Sequence, residues 1–287
     1  MAGLVTAIGA LREQTERWRQ AGPIGLVPTM GALHAGHARL IDQARRECPR
    51  VVVSVFVNPL QFDRDEDLRR YPRQLEADTE LCTRHGVDAL FAPDVTEMYP
   101  TPPACTIDVG RLADHLCGPH RPGHFRGVAT IVMKLLQIVQ PDRAYFGEKD
   151  AQQLAIVRRL VTDFAVPVTI VAVQTVREPD GLALSSRNRH LTPDERRLAP
   201  ALYQALREAD RLIVSGVRDA DAIRKAAITH VPSHPSLRLE YFEIVEPDHM
   251  QPVTSVTAPV RVAGSLWVGR TRLIDNLLSV PSGLRVP

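Results

Sequence analysis

Two histidines three positions apart are the first side chains in this sequence whose spacing could serve chemistry. They lie in the run Pro28-Thr-Met-Gly-Ala-Leu-His-Ala-Gly-His37, between a short apolar stretch and a helical pattern. In an open α/β sheet, ligands bind beyond the carboxyl ends of strands, near helix N-termini. Imidazoles at that place can hydrogen-bond phosphate oxygens and stabilise charge on a departing pyrophosphate. Gly31 and Gly36 would let the backbone approach such a ligand closely.

The histidine pair also has two simpler explanations. It could be half of a metal site, although no carboxylate or cysteine completes such a site nearby. It could equally consist of surface-loop histidines without a role. The position directly after a first predicted strand favours the phosphate-binding hypothesis over both.

A second candidate element is Leu184-Ser-Ser-Arg-Asn188, in a stretch that has neither helical nor strand periodicity. Two hydroxyls and a guanidinium in succession can hold phosphate oxygens, and a loop can close over them. Alone, Arg187 could simply be a solvated charge. Together with the histidine pair, in that order on a parallel-sheet domain, the element resembles the signatures of class I nucleotidyltransferases and aminoacyl-tRNA synthetases. A P-loop is excluded because no G-x-x-x-x-G-K-[ST] motif occurs.

The third element is Phe146-Gly-Glu-Lys-Asp-Ala-Gln-Gln153, where a predicted strand leads into a helix. Lys149 is a compact cation suited to the α-phosphate or to pyrophosphate. Asp150 is either a helix N-cap or a ribose contact. Gln152 and Gln153 cannot both face a ligand, because adjacent helical positions diverge by about 100°.

Two further segments carry polar side chains. Asn58 and Gln61 follow a strand and are well placed to hydrogen-bond the hydroxyls of a small polar substrate. His124, in Arg121-Pro-Gly-His-Phe-Arg-Gly127, is open to a structural or a functional interpretation. A zinc site is a further alternative, but the spacing of its candidate ligands fits no standard site. These candidates are Asp114, His115, Cys117, His120 and His124.

The elements that must position these residues alternate short strands with amphipathic helices, a pattern typical of βαβ units. Strands are predicted at 24–27, 51–57, 89–91, 143–146 and 166–173, and helices after Gly127 and over 151–164. After a turn-rich stretch, Thr192-Pro-Asp-Glu195 is a capping box that predicts a helix. The segments 237–245, 259–268 and 271–278 then predict an antiparallel sheet.

The fold class that follows is α/β, with a Rossmann-like parallel sheet in the N-terminal domain and a smaller α+β C-terminal domain. We place the catalytic domain at 1–175 and the smaller domain, a lid, at 176–287. The chain has 287 residues, with 35 Lys plus Arg against 33 Asp plus Glu and a net charge of +2. That balance argues against a dedicated nucleic-acid surface.

Several features predict a cytoplasmic protein. The four cysteines show no C-x-x-C pair, which suits a reducing compartment. The N-terminus has no export signal, and no stretch approaches the roughly 20 apolar residues that span a bilayer. We expect neither nucleic acid nor a membrane as a partner.

Seven motifs, in order, resemble the pantothenate synthetase (pantoate–β-alanine ligase) family over roughly residues 24 to 191. They are PTMGALHAGH at 28–37, VSVFVNPLQF at 53–62, EDLRRYPR at 66–73, MYP at 98–100, RPGHFRGV at 121–128, FGEKDAQQ at 146–153 and REPDGLALSSRN at 177–188. The resemblance implies an ATP-dependent ligase that condenses (R)-pantoate and β-alanine. In such an enzyme pantoate attacks the α-phosphorus of Mg-ATP to give pantoyl adenylate and pyrophosphate. The amine of β-alanine then releases AMP and pantothenate.

The resemblance also implies roles for particular residues. His34 and His37 would contact the ATP phosphates, with His37 the proton donor, and Lys149, Ser185, Ser186 and Arg187 would neutralise triphosphate charge. Pantoate would be bound by Gln61 and Gln153, with Asn58 in support. The residues that would line ATP are Met30, Gly31, Ala32, Leu33, His34, Ala35, Gly36, His37, Gly147, Glu148, Lys149, Asp150, Val176, Leu184, Ser185, Ser186 and Arg187. Mg²⁺ would arrive with ATP and not in a protein cage, and the family is expected to form a homodimer.

Two other functions stay open at this point. A different adenylyltransferase of the same superfamily would leave the nucleotide attached to its acceptor, and it would need a second basic site for an acceptor phosphate. A catalytically silent nucleotide-binding module, with 177–191 as a sensing loop, would bind ATP without releasing pyrophosphate.

Overall fold

The structure of the protein is a computed structural model that describes residues 2–63 and 65–283. The chain forms two compact units. Unit 1 consists of residues up to 109, 121–148 and 156–174, and unit 2 consists of 110–120, 149–155 and the residues from 175 onward. Unit 2 thus includes two short segments that precede residue 175. The boundary after residue 175 stays a prediction about domains.

Unit 1 is built on a six-stranded sheet in which all adjacent strands run parallel. The strands are β1 (Gly3–Val5), β2 (Ile24–Thr29), β3 (Arg50–Val55), β4 (Ala89–Phe91), β5 (Arg143–Gly147) and β6 (Thr169–Val173). Their order is β1-β4-β3-β2-β5-β6. The chain therefore proceeds outward from β2 in one direction and from β5 in the other. Ligands of such sheets bind beyond the carboxyl ends of the strands at this reversal of order.

The sheet core explains why these strands form. Val51, Val52 and Val53 of β3 are fully buried, as expected for a strand covered on both faces. Leu26 and Val27 of β2 are equally buried beside them. The predicted parallel sheet is therefore confirmed.

The helices of unit 1 are α1 (Ile8–Trp18), α2 (Ala35–Glu47), α3 (Asp65–Arg70), α4 (Leu75–Arg84), α5 (Val95–Met98), α6 (His124–Val139) and α7 (Ala151–Asp163), of which α7 begins in unit 2. The apolar stripe predicted for α6 is buried along its whole length. The helix ends where Gln140 adopts a left-handed conformation with φ 46°, directly before Pro141.

Several elements of unit 1 differ from the sequence expectation, among them β1, α1 and β6. β1 and α1 were not predicted, because a three-residue strand has little periodicity and α1 has no side-chain cap or acidic first turn. β6 begins at Thr169, not at Val166. The residues before it form the C-terminal end of α7, because Ala165 has a left-handed φ of 48° and the Val166 amide donates to Val161 O at 3.0 Å.

Unit 2 contains the antiparallel sheet β7 (Leu237–Val245), β8 (Val260–Val268) and β9 (Thr271–Ser279), in that order. Three helices, α8 (Pro193–Leu198), α9 (Ala201–Val214) and α10 (Ala220–Ile228), accompany it. The capping box is confirmed, because Thr192 accepts from the Glu195 amide and Glu195 accepts from the Thr192 amide. The apolar face of α9 packs on the sheet through Leu202, Leu206 and Ile213.

Within residues 2–63 and 65–283, no helix combines the length and the apolar character needed to cross a membrane.

Candidate active site

The loop after β2 is held by a buried carboxylate from α4. Asp78 is 1% exposed, and it accepts the Ala32 amide at 3.0 Å and the Leu33 amide at 2.7 Å. Gly31 has φ +84°, and a Cβ there would lie 2.9 Å from Asp78 Oδ2 and from Val55 Cγ1. The backbone thus requires glycine at this position. Asp78 was not predicted from the sequence, because nothing near it distinguishes it from the exposed acids of its helix.

His34 and His37 form the N-terminal cap of α2. The Gly36 amide donates to His34 Nδ1 at 3.1 Å, and the His34 amide donates to His37 Nδ1 at 3.3 Å. The two ring centroids are 4.2 Å apart. A ring nitrogen that accepts an amide hydrogen carries no proton, so in each neutral ring the proton is on Nε2. The cap therefore favours the tautomer in which both rings carry their proton on Nε2, the form that can donate to a phosphate oxygen.

Asn58 and Gln61 lie together in the turn after β3, and hydrogen bonds join them. Asn58 is 1% exposed, and its amide donates to Gln61 Oε1 at 3.2 Å and to Gly127 O at 3.0 Å. Asn58 Oδ1 accepts from the Leu60 amide and from the Tyr99 hydroxyl at 2.9 Å. Burial raises the pKa of Tyr99 to about 12, which keeps this donor protonated. Because these hydrogen bonds engage the donors and the acceptor of the Asn58 side chain, we interpret Asn58 as a residue that holds the Gln61 side chain in place.

The backbone of Gln61 is held by a residue whose role the sequence left open. His124 is buried, and its Nδ1 lies 2.8 Å from Gln61 O, while its Nε2 lies 3.1 Å from Arg121 Nη1. One tautomer satisfies both contacts, with Nδ1 donating to the carbonyl and Nε2 accepting from the guanidinium. His124 thus has a structural part in positioning Gln61. The signal for it was the constrained loop directly before α6.

Helix α6 approaches the same turn closely at Gly127, where a Cβ would lie 2.2 Å from Leu60 O and 2.6 Å from Gln61 Cα.

We expect Gly127→Ala to push the turn away from α6. Overpacking of this kind costs about 1–3 kcal/mol, and the displaced Gln61 should raise the KM for a substrate bound by its amide several-fold. Thermal unfolding and steady-state kinetics measure the two effects. The control is Gly9→Ala in α1, because a Cβ at Gly9 meets nothing within 4 Å and Gly9 is not among the predicted binding residues. An unchanged KM for Gly127→Ala would show that Gln61 does not bind substrate.

In unit 2, three predicted phosphate-binding residues from two separate stretches line one cavity: Lys149, Ser185 and Arg187. Residues of β9, including Arg272 and Asp275, line it as well. The hairpin that carries Ser185 closes through the Leu184 amide, which donates to Val176 O at 2.9 Å. Ser185 Oγ accepts the Arg187 amide at 3.3 Å and begins a 3₁₀ turn over Ser186–His190.

The base of this hairpin carries a buried ion pair. Arg177 contacts Asp275 through two hydrogen bonds of 2.6 and 2.9 Å, and its guanidinium carbon lies 4.2 Å from the centre of the Tyr203 ring. Burial raises the pKa of the Asp275 carboxyl above its ordinary value, and the Arg177 charge opposes that shift. A bidentate pair of this geometry is strongly directional.

The two adjacent glutamines of α7 have different surroundings. Gln152 is buried, its amide donates to Leu112 O and His115 O, and its Oε1 accepts the Cys117 amide. It therefore holds the 110–120 segment of unit 2. Gln153 is partly exposed, which is compatible with the pantoate contact predicted for it.

The remaining predicted nucleotide residues differ in exposure. Ala32 and Leu33 have buried side chains and amides that donate to Asp78, which leaves their backbone carbonyls for a ligand. The exposed residues are Ala35 and Asp150, and the partly exposed ones are Met30, Gly36, Gly147, Glu148, Val176, Leu184 and Ser186. Gln61 Nε2 lies 2.7 Å from Met30 Sδ, so Met30 adjoins the turn that carries Gln61.

The residues of the zinc alternative have other partners. His115 Nδ1 lies 3.8 Å from a carboxylate oxygen of Glu243. His120 Nδ1 lies 4.0 Å from a carboxylate oxygen of Glu240, and the His120 ring stacks on the Tyr241 ring. In the described part of the chain, no three His, Cys, Asp or Glu side chains are grouped as a metal would require.

Comparison with known proteins identifies the family. A sequence model described as Pantoate-beta-alanine ligase matches residues 3–278. The chain is 52% identical over 282 residues to a bifunctional pantoate ligase/cytidylate kinase of Synechococcus sp. (strain JA-3-3Ab), and the match covers 96% of this chain and 52% of the relative. The chain thus spans about half the length of this relative.

Two solved structures are similar over nearly the whole chain. The crystal structure of pantothenate synthetase from Thermus thermophilus has a TM-score of 0.91 and 47% identity, and the match covers 97% of this chain and 100% of that one. The pantoate-β-alanine ligase from Francisella tularensis, complexed with β-γ ATP and β-alanine, has a TM-score of 0.81 and 35% identity over 97% and 98% of the two chains. The chain described here belongs to the pantoate–β-alanine ligase family.

Proposed function

We propose that this protein is an ATP-dependent ligase that joins (R)-pantoate to β-alanine through a pantoyl-adenylate intermediate. The observation that carries the proposal is the cavity of unit 2, where Lys149, Ser185 and Arg187 come together from stretches that are distant in the sequence. Membership of the family supports the choice of substrates, and so does the Francisella structure, which is a complex with β-γ ATP and β-alanine.

In the first step, a carboxylate oxygen of pantoate attacks the α-phosphorus of ATP, and the bond to pyrophosphate breaks. Negative charge then grows on the leaving oxygens. We assign its stabilisation to the Nε2–H donors of His34 and His37, with His37 as proton donor, and to Lys149, Ser185, Ser186 and Arg187. Donors held in place before the reaction need no reorganisation when the charge develops.

Pantoate is assigned to Gln61 and Gln153, with Asn58 acting through Gln61. An amide presents both a donor and an acceptor, which suits the hydroxyls and the carbonyl oxygen of a small polar acid. In the second step the neutral amine of β-alanine attacks the acyl carbon, and AMP leaves. Activation as an adenylate lowers this second barrier because AMP is a far better leaving group than oxide.

Mg²⁺ would enter with ATP and offset charge on the phosphate oxygens. That arrangement asks little of the protein, because Mg²⁺ is usually held mainly by substrate phosphates and waters, with at most one or two carboxylates. The residues described in unit 2 that line the cavity offer one carboxylate, Asp275, which is already paired with Arg177.

The cellular setting and assembly belong to the same proposal. The cysteines that the structure describes, Cys48, Cys82, Cys105 and Cys117, are free thiols, which supports a reducing cytoplasm. A homodimer is proposed by analogy with the family, and light scattering of the purified protein would test it.

The decisive experiment is pantoate-dependent exchange of labelled pyrophosphate into ATP in the absence of β-alanine. The proposed function predicts exchange with pantoate and none without it. Addition of β-alanine should then yield AMP and an amide in equal amounts. A product that keeps the nucleotide would indicate an adenylyltransferase instead, and ATP binding without exchange would indicate a silent module.

We expect Gln153→Ala to raise the KM for pantoate about tenfold with little change in the KM for ATP. The physical reason is that a lost hydrogen bond to a bound ligand costs about 0.5–1.5 kcal/mol. Its matched control is Gln152→Ala, which removes the same side chain one position earlier. That variant should lower thermal stability, because three backbone partners in the 110–120 segment lose their hydrogen bonds, while the KM for pantoate changes little. An effect of Gln153→Ala on ATP alone would contradict the assignment.

A further inference from the structure

The backbone of Lys149 is held by a side chain of β9. Asn276 Nδ2 donates to Lys149 O at 3.0 Å, across 127 positions of sequence. Asn276 is 5% exposed, and its Oδ1 accepts from Arg261 Nη1 at 2.9 Å. The amide is thus anchored on one side by the sheet and bonded on the other to the residue that carries the predicted phosphate-binding cation.

The neighbouring residue connects the same strand to the hairpin that carries Ser185. Asp275 Oδ1 accepts from the Asn276 amide at 2.8 Å and from Arg177 Nη2 at 2.9 Å. Arg177 Nη1 also donates to Gly181 O at 3.0 Å. Two consecutive residues of one strand are therefore bonded to Lys149 and to the hairpin that leads to Ser185, the two stretches that supply the predicted phosphate-binding residues of the cavity.

This connection matters because Lys149 lies within the single 3₁₀ turn Glu148–Asp150 that directly precedes α7. A lysine side chain has four rotatable bonds. Its ammonium group therefore reaches a defined position only when the backbone of that residue is held in place. A displacement of about 1 Å can cost a large factor in rate when the group stabilises a transition state.

We propose that Asn276, supported by Asp275, is a positioning residue that holds Lys149 at a fixed distance from the Ser185–Arg187 loop for adenylate formation. The role rests on the proposed function and adds to it two residues that lie outside the seven motifs. Neither residue is expected to contact the reacting atoms.

The main test is pantoate-dependent pyrophosphate exchange with Asn276→Ala. We expect about a tenfold fall in the maximal exchange rate, the scale of one lost hydrogen bond, with the KM for pantoate unchanged. Asn276→Asp is the second variant. It keeps an acceptor for Arg261 but cannot donate to Lys149 O, so its exchange rate should fall as well.

The matched control is Ser279→Ala, in the same strand. Ser279 is 1% exposed and donates to Asp210 at 2.7 Å, so its removal also breaks a buried hydrogen bond of unit 2. It has no bond to Lys149 or to Arg177. Its exchange rate should stay within twofold of the unaltered protein, even where its melting temperature falls as far as that of Asn276→Ala.

A double-mutant cycle distinguishes positioning from general destabilisation. In a Lys149→Ala background, Asn276→Ala should cause no further loss of exchange, because the group that it positions is gone. A second readout uses the three lysines of the chain, Lys134, Lys149 and Lys225. After reductive methylation with ¹³C-formaldehyde, the Lys149 resonance should shift in Asn276→Ala and not in Ser279→Ala.

The inference is overturned if Asn276→Ala exchanges at the rate of the unaltered protein, or if its tenfold loss persists in full without Lys149. An equal loss in Ser279→Ala at equal stability would overturn it too. If the unaltered protein shows no pantoate-dependent exchange, the proposed function fails and this role fails with it. Exchange in the unaltered protein together with full exchange in Asn276→Ala removes the positioning role alone.

Discussion

Lys149→Ala is expected to slow pantoyl-adenylate formation by about two orders of magnitude or more, the scale of one lost charge contact in a transition state. Lys149 lines the cavity of unit 2 with Ser185 and Arg187, so its ammonium group is assigned to the charge that grows as pyrophosphate leaves. The rate of the second step from preformed pantoyl adenylate should change much less. Single-turnover formation of the adenylate measures the first effect, and aminolysis of the added intermediate measures the second.

Lys225→Ala is the matched control for this prediction. Lys225 lies on α10 of the same unit and pairs with Asp221 at 2.6 Å on the exposed helix surface. Its replacement should leave adenylate formation unchanged, because an exposed i,i+4 pair contributes little. A single-turnover rate for Lys149→Ala equal to that of the Lys225 variant would contradict the role of Lys149.

His37→Ala is expected to suppress the first half-reaction by about 100-fold, through loss of the Nε2–H donor to the phosphates. The same change removes a cap, because His37 Nδ1 accepts the His34 amide. Loss of a cap lowers the free energy of unfolding by about 0.5–2 kcal/mol, so the variant should remain folded. Circular dichroism and thermal unfolding report the folding, and pyrophosphate exchange reports the chemistry.

His37→Asn separates the two contributions. The Asn Oδ1 can take the place of Nδ1 as acceptor for the His34 amide, but the side chain has no atom at the position of Nε2. We therefore expect His37→Asn to recover most of the lost stability and none of the lost exchange. Recovery of exchange with the cap would mean that His37 acts only by capping α2.

Short-range sequence patterns predicted most of the strands and helices and the groups of candidate site residues that lie within one motif. The continuous apolar run of β3 indicates a short strand buried on both faces, and the stripe of α6 repeats every three to four residues, the period of a helix buried on one face. The capping box at Thr192 specifies a helix start within four residues. For the same reason the candidate groups that lie within one motif, His34 with His37 and Ser185 with Arg187, could be recognised from the residues themselves.

The sequence by itself thus determined the family, the alternation of strands and helices, and the residue types available for phosphate chemistry. Only the tertiary structure decided what holds those residues. Asp78 reaches the loop after β2 across 45 and 46 positions, His124 reaches Gln61 across 63, and Asn276 reaches Lys149 across 127. A hydrogen bond between distant residues imposes no local period on the chain, so its partners become recognisable only when folding has brought the strands and loops together.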